Sequence, residues 1–146
     1  HPLSVLVDVN VLLYAKFSDF PRHRDSRDWL EQALAGSEPV AIPWLCRIGF
    51  LRIATNGRVF ERPLSTRAAL EQLDRWCSAP VVWAPEPGER FRTVLEDLML
   101  ASQATANLVP DAWLAALAVE RGLVIATWDT DFQRFPGVRS RAPTPG

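Results

Sequence analysis

Four aspartates stand where an apolar strand pattern ends or a helical pattern begins. They are Asp8 in Ser4-Val-Leu-Val-Asp-Val-Asn10, Asp111 in Val109-Pro-Asp-Ala-Trp113, and the pair Asp129 and Asp131 in Thr127-Trp-Asp-Thr-Asp-Phe132. A carboxylate directly after a buried strand serves a core poorly and a site well, because parallel strands present their C-terminal ends along one ligand-binding edge. Carboxylates gathered there repel one another and drive some pKa values upward unless a cation neutralises them. Oxygen-only ligands suit Mg2+ or Mn2+. One or two such ions can activate water and steady the leaving oxygen in phosphodiester cleavage.

Each aspartate alone has a plainer role, since capping a helix or ending a strand is common work for Asp. The combination argues for a site, because repulsion among carboxylates at one edge lowers stability unless a metal offsets it. A nucleotide-cradling mechanism is excluded: the chain contains neither GxxxxGK[ST] nor GxGxxG.

The elements that must position these groups follow from the hydrophobic pattern. Residues 3–7 are a short apolar run, as a buried central strand requires, and Asp8 or Asn10 can cap a brief helix through Val11, Leu12 and Ala15. Residues 19–23 read as a polar loop and 24–34 as an amphipathic helix with Trp29, Leu30, Ala33 and Leu34 inward, ended by Gly36. A small strand at 40–42 precedes a helix over 44–54 that is apolar nearly all round and therefore predicted to be buried. Ser65 caps a helix over 66–76, a strand follows at 81–83, and a helix over 89–101 turns Phe91, Val94, Leu95, Leu98 and Met99 inward. Residues 103–109 read as a loop. Pro110 and Asp111 then open an apolar helix that Gly122 stops, because Pro loses no hydrogen bond there and Asp complements the helix dipole. The strand 123–127 leads into the Asp129/Asp131 turn, and 142–146 reads as a frayed, proline-rich tail. Strands alternating with helices predict an α/β fold in three layers, with a mostly parallel central sheet flanked by helices, over one domain spanning 1–146.

Bulk properties narrow the class. The chain has 146 residues, 48% of them hydrophobic and 23% charged, with a net charge of −1, so no overall basicity advertises a polyanion binder. Lys16 is the only lysine; arginine supplies the remaining cations, and with them bidentate phosphate recognition wherever they cluster. Cys46 and Cys77 form no CxxC pair and read as buried free thiols of a reducing compartment, and with only His1 and His23 no zinc site can be assembled. No apolar run approaches the ~18 residues of a membrane span. No signal-peptide pattern precedes the first strand, His1-Pro2 reads as a trimmed or recombinant start, and a cytoplasmic protein is expected.

Four segments together resemble a known family: Leu6-Val-Asp-Val-Asn-Val-Leu-Leu-Tyr-Ala15, Phe50-Leu-Arg-Ile-Ala-Thr-Asn56, Asn107-Leu-Val-Pro-Asp-Ala-Trp-Leu-Ala-Ala-Leu-Ala118 and Thr127-Trp-Asp-Thr-Asp-Phe132. In this order they are similar to the PIN-domain toxins of the VapC type, in their actinobacterial, mycobacterial-style branch. The resemblance implies a metal-dependent endoribonuclease of a type II toxin–antitoxin pair, using Mg2+ or Mn2+, held silent by a VapB-type antitoxin and usually a homodimer. Carried over residue by residue, it makes Asp8, Asp111 and Asp129 metal ligands, Asp131 an auxiliary acid and Thr127 the supporting hydroxyl. One departure stands out. Many PIN nucleases carry a glutamate on the helix that falls here at 44–56, where Gly49 occupies the matching position and no acid occurs. One firmly held ion is therefore expected in preference to two.

Further residues have candidate roles beside plain ones. Arg52 could meet phosphate near the pocket or pair with an aspartate, and Arg22, Arg24, Arg27 and Arg47 could form a patch facing RNA or antitoxin, against a solvated face. Trp113 reads as core, Trp128 as core or as a stacking surface for an unpaired base, and Trp29, Trp44, Trp76 and Trp83 as core or interface. His23 reads as a polar loop residue. Two other functions compete with the nuclease: a degenerate PIN fold that only binds RNA or a protein, and a phosphohydrolase with an aspartyl nucleophile. The last wants DxD at the first strand, where Asp8-Val9-Asn10 supplies a single carboxylate.

Overall fold

The computed structural model describes residues 4–146; Leu3 and the His1-Pro2 start lie outside them. Five short strands form one sheet in the order β3-β2-β1-β4-β5, and every pairing is parallel. The strands are β1 (Val5–Val7), β2 (Val40–Ala41), β3 (Val82–Trp83), β4 (Val124–Ala126) and β5 (Ser140–Arg141). The helices are α1 (Val9–Lys16), α2 (His23–Ala35), α3 (Trp44–Ala54), α4 (Thr66–Cys77), α5 (Phe91–Ser102) and α6 (Leu108–Arg121), with a 3-10 turn at Thr130–Arg134. The chain builds outward from β1 to β2 and β3, then returns to place β4 on the other side of β1. Right-handed crossovers therefore put α1 to α4 on one face and α5 and α6 on the other. The contacts agree: α1 packs on α2 and α3, α3 on α4, and α5 on α6.

The expected strands and helices are present, α3 with its expected bounds and the others with ends shifted by no more than two residues. β1 and β4 are completely buried, as continuous apolar runs between two helical layers should be. Alanines 112, 115, 116 and 118 lie buried along α6, and their small side chains let that helix close on the sheet. Between the layers lie Leu6, Val7, Val11, Leu12, Ile42, Phe50, Leu117 and Ile125, all fully buried. Asp8 caps α1 by accepting from Val9 N, and Ser65 Oγ caps α4 by accepting from Ala68 N. Gly122 ends α6 in the left-handed conformation at φ 69°, the conformation that favours glycine.

Several expectations are corrected. The helix 44–54 is not buried all round: Trp44 is 52% and Ile48 54% exposed, and only Cys46, Phe50 and Ala54 are buried. Helix α6 starts inside the predicted loop, two residues before Pro110, where the first-turn amides need no partner. β5 has no signal in the sequence, because its two residues, Ser140 and Arg141, carry no apolar signature; their pairing to β4 makes them a strand. The tail after it is not wholly frayed, since Pro143 is buried and Thr144 N donates to Ala142 O. His23 is the first residue of α2 and not a loop residue, with its Nδ1 2.7 Å from Tyr14 O. Among the described residues no helix is long and apolar enough to cross a membrane.

Candidate active site

The order reverses between β1 and β4, and at such a switch point adjacent strand ends splay their following loops apart and leave a crevice. Asp8 follows β1 and Thr127 follows β4 directly, and Asp8 N donates to Ala126 O at 3.1 Å, so the two ends are stitched together. Asp129 begins the 3-10 turn, with its Oδ1 accepting from Asp131 N at 2.8 Å. Asp111 lies in the first turn of α6, a helix that returns along the sheet and so starts at its C-terminal edge. Residues separated by more than a hundred positions meet in one place.

One carboxylate oxygen from each of Asp111, Asp129 and Asp131 lies within 4.8 Å of the others. All three side chains are half-buried. Asp8 sits deeper, 4% exposed, with its oxygens engaged. Oδ1 accepts from Val9 N at 2.7 Å, and Oδ2 accepts from Thr127 Oγ1 at 2.8 Å and from Asn10 Nδ2 at 3.3 Å. The sequence placed Asp8, Asp111 and Asp129 foremost and Asp131 as an auxiliary. The fold brings all four to one edge, with Asp131 in the tight triple and Asp8 beside it.

The electrostatics show how closely they sit. Burial, and then the charges of Asp8, Asp129 and Asp131, push the Asp111 carboxyl up to about 7. Burial also raises Asp8, opposed by the hydrogen bonds from Thr127 and Val9 and reinforced by the charge of Asp129. The donor set is all hard oxygen, half open to solvent and short of positive charge, which fits a divalent cation of the Mg2+ type.

Thr127 and Asn10 form the brace. Thr127 Oγ1 donates to Asp8 and accepts from Asp129 N at 3.0 Å and Asn10 Nδ2 at 3.1 Å. Asn10 Oδ1 accepts from Trp128 N at 3.3 Å. By sequence Asn10 is only a capping candidate; its spacing of two from Asp8 is the available signal, but its partners lie 117 and 118 positions away. Beneath the site the Cys46 thiol is wholly buried, and burial, with the charges of Asp8 and Asp111, pushes its pKa well up, so it stays a thiol.

Gly49 is explained by the same neighbourhood. A Cβ built on it would lie 3.2 Å from Val9 Cγ2. Val9 is β-branched and stiff within α1, so it cannot easily yield. Arg52 points elsewhere: it is exposed, lines a shallow groove with Ile48, Leu51, Thr55 and Leu70, and forms no ion pair with an aspartate among the described residues. Three of the four candidate arginines have partners of their own. Arg47 donates to Ile42 O and lies over Trp44, Arg27 pairs with Asp28, and Arg22 lies over Trp128. Trp113 packs against Phe91 as core, Trp29 is buried and Trp76 meets Phe50, whereas Trp44 and Trp83 are exposed.

An all-parallel sheet of this order, with acids converging on its switch point, defines an α/β domain with an acidic site at its ligand-binding edge. The PIN domain family profile matches residues 5–138. Ribonuclease VapC37 of Mycobacterium tuberculosis is 41% identical over 138 residues, covering 94% of this chain and 96% of that protein. Ribonuclease VapC25 of the same species is 38% identical, covering 94% and 97%. The chain belongs to the PIN-domain family, among its VapC-type members. Solved structures share the fold at low identity: VapBC2 from Rickettsia felis bound to a promoter DNA fragment, with TM-score 0.73, 13% identity and coverage of 96% and 98%, and VapC20 of Mycobacterium tuberculosis, a Sarcin-Ricin loop cleaving toxin, with TM-score 0.65, 15% identity and coverage of 92% and 98%.

Proposed function

We propose that this protein is an endoribonuclease of the VapC type, the toxin of a toxin–antitoxin pair, hydrolysing RNA phosphodiesters with Mg2+ or Mn2+. The observation that carries the reading is the carboxylate triple of Asp111, Asp129 and Asp131 beside buried Asp8, in a chain 41% identical to a ribonuclease. Asp8, Asp111 and Asp129 would hold the ion, with Asp131 of the same carboxylate cluster assisting. The ion supplies Lewis-acid stabilisation of the phosphate and a water of lowered pKa. Thr127 and Asn10 keep the Asp8 carboxylate oriented, and the Asp129 side chain is oriented by the bond it accepts from Asp131 N. With Gly49 in place of a glutamate, a single ion is the expected stoichiometry. The exposed apolar residues of α3 and α4, Trp44, Leu45, Ile48 and Leu70, support a protein partner, for which a VapB-type antitoxin and a second copy of the chain are the candidates, in the cytoplasm and within one domain.

The aspartyl-nucleophile reading is disfavoured, because the Asp8 carboxylate is 4% exposed with both oxygens hydrogen-bonded. The test is cleavage of a structured RNA by the purified protein with Mg2+, Mn2+ or EDTA, beside Asp111→Asn and Asp129→Asn. Metal-dependent cleavage falling by about 100-fold or more in each variant is expected. Cleavage that survives EDTA and both substitutions overturns the site. RNA binding without any metal-dependent cleavage would indicate the degenerate module instead.

A further inference from the structure

Trp128 stands between the hydroxyl and the carboxylate of the site, Thr127 and Asp129. It is fixed at two points. Its backbone N–H donates to Asn10 Oδ1 at 3.3 Å, and its indole Nε1–H donates to the Oγ of fully buried Ser26 at 2.8 Å. The indole is thus a rigid, half-buried surface projecting from the acidic site toward the start of α2. On that surface lies the guanidinium of Arg22, its carbon 4.3 Å from the ring centroid.

Arg22 is exposed and pairs with no carboxylate among the described residues, whereas Arg134, also near the site, sits 3.8 Å from Asp131. A cation resting on an indole is held in place without using its N–H donors. It therefore keeps the fork that matches a phosphate. A polyanion entering a pocket of four carboxylates also needs positive charge beyond the catalytic ion. We propose that Arg22, mounted on Trp128, is a phosphate-binding subsite for the nucleotide beside the scissile bond of a single-stranded RNA segment. This rests on the ribonuclease reading above. Arg22 is a substrate-binding residue here, and Trp128 and Ser26 position it.

Counterion release supplies the test. Binding of a fluorescein-labelled single-stranded oligoribonucleotide is followed by anisotropy across a KCl series, with Ca2+ in place of Mg2+ and RNA integrity checked on a gel. Parent, Arg22→Gln, Arg22→Lys and the remote surface variant Arg92→Gln are compared. Loss of one phosphate contact should lower the slope of log affinity against log salt by about 0.7 in Arg22→Gln. Arg22→Lys should keep the slope and bind more weakly, and Arg92→Gln should match the parent. With Mg2+, Arg22→Gln should raise KM about tenfold with kcat within about twofold, the signature of lost uniform binding. Its melting temperature should stay within about 3 °C of the parent. An unchanged slope in Arg22→Gln, an equal fall in Arg92→Gln, or no measurable RNA binding by the parent overturns the subsite. A slope that falls in Arg22→Gln while no protein cleaves RNA with metal sinks the ribonuclease reading and overturns the placement beside a scissile bond, keeping Arg22 only as an RNA phosphate contact.

Discussion

Thr127 Oγ1 donates a 2.8 Å hydrogen bond to Asp8 Oδ2 across 119 positions of sequence, and both residues are buried. The bond crosses the β1/β4 switch point and sets the direction of the deepest carboxylate. Thr127→Val keeps the shape and removes the hydroxyl, leaving the Asp129 amide without its acceptor and Asp8 with one donor fewer. The variant should lose about 1–3 kcal/mol of stability in urea denaturation. Cleavage should fall by roughly 10–100-fold. Thr127→Ser, which restores the donor, should recover most of both. A Val variant as stable and active as the parent would remove Thr127 from the brace.

The raised carboxyl of Asp111 makes stability depend on pH in a definite sense. Its folded pKa of about 7 lies above the unfolded value of about 3.9. The contribution is therefore complete below about pH 4 and is lost as pH rises through about 7. Asp8 is shifted the same way. Metal-free protein should melt at a lower temperature at pH 8 than at pH 5.5, and Asp111→Asn should flatten that difference. Millimolar Mg2+ should raise the melting temperature more at pH 8 than at pH 5.5, since the ion competes with protons for the same oxygens. Identical pH profiles for parent and Asp111→Asn would show that these carboxylates are not coupled.

Gly49 offers a direct test of why this helix lacks a glutamate. Because its Cβ would meet Val9 Cγ2 at 3.2 Å, Gly49→Glu should destabilise the protein by about 1–3 kcal/mol through overpacking of α3 on α1. Adding Val9→Ala should recover part of that loss. Thermal melts of the single and double variants decide the matter. A Gly49→Glu protein with unaltered stability would mean that α1 and α3 can part freely.

A purely backbone prediction concerns Gly122, whose φ is 69° and whose added Cβ would touch nothing within 4 Å. Gly122→Ala should lower stability by about 1 kcal/mol through local backbone strain, with no clash against any other part of the fold. Gly122→Asn should cost less, since Asn tolerates the left-handed region. Chemical denaturation of the two variants gives the comparison.

What the sequence determined by itself is what local pattern carries. Apolar runs of strand length, helical periodicity, Ser65 and Asp8 at caps and Gly122 after a helix named nearly every element and the parallel α/β class, because each signal lies within a few residues of what it governs. It also named the acids, since Asp directly after a buried strand is conspicuous. Only the tertiary structure decided which partners those acids have. Asn10 and Thr127 bracing Asp8, Asp131 joining Asp111 and Asp129, Arg22 lying on Trp128 and Val9 filling the space above Gly49 are all contacts between distant segments. The same limit hid β5, which is a strand only because β4 lies beside it, and made α3 look buried, when Trp44 and Ile48 on one of its faces stay about half exposed among the described residues. Chemistry was legible wherever a residue type announced it; geometry was not, because the sheet edge that collects these side chains exists only once the strands are paired.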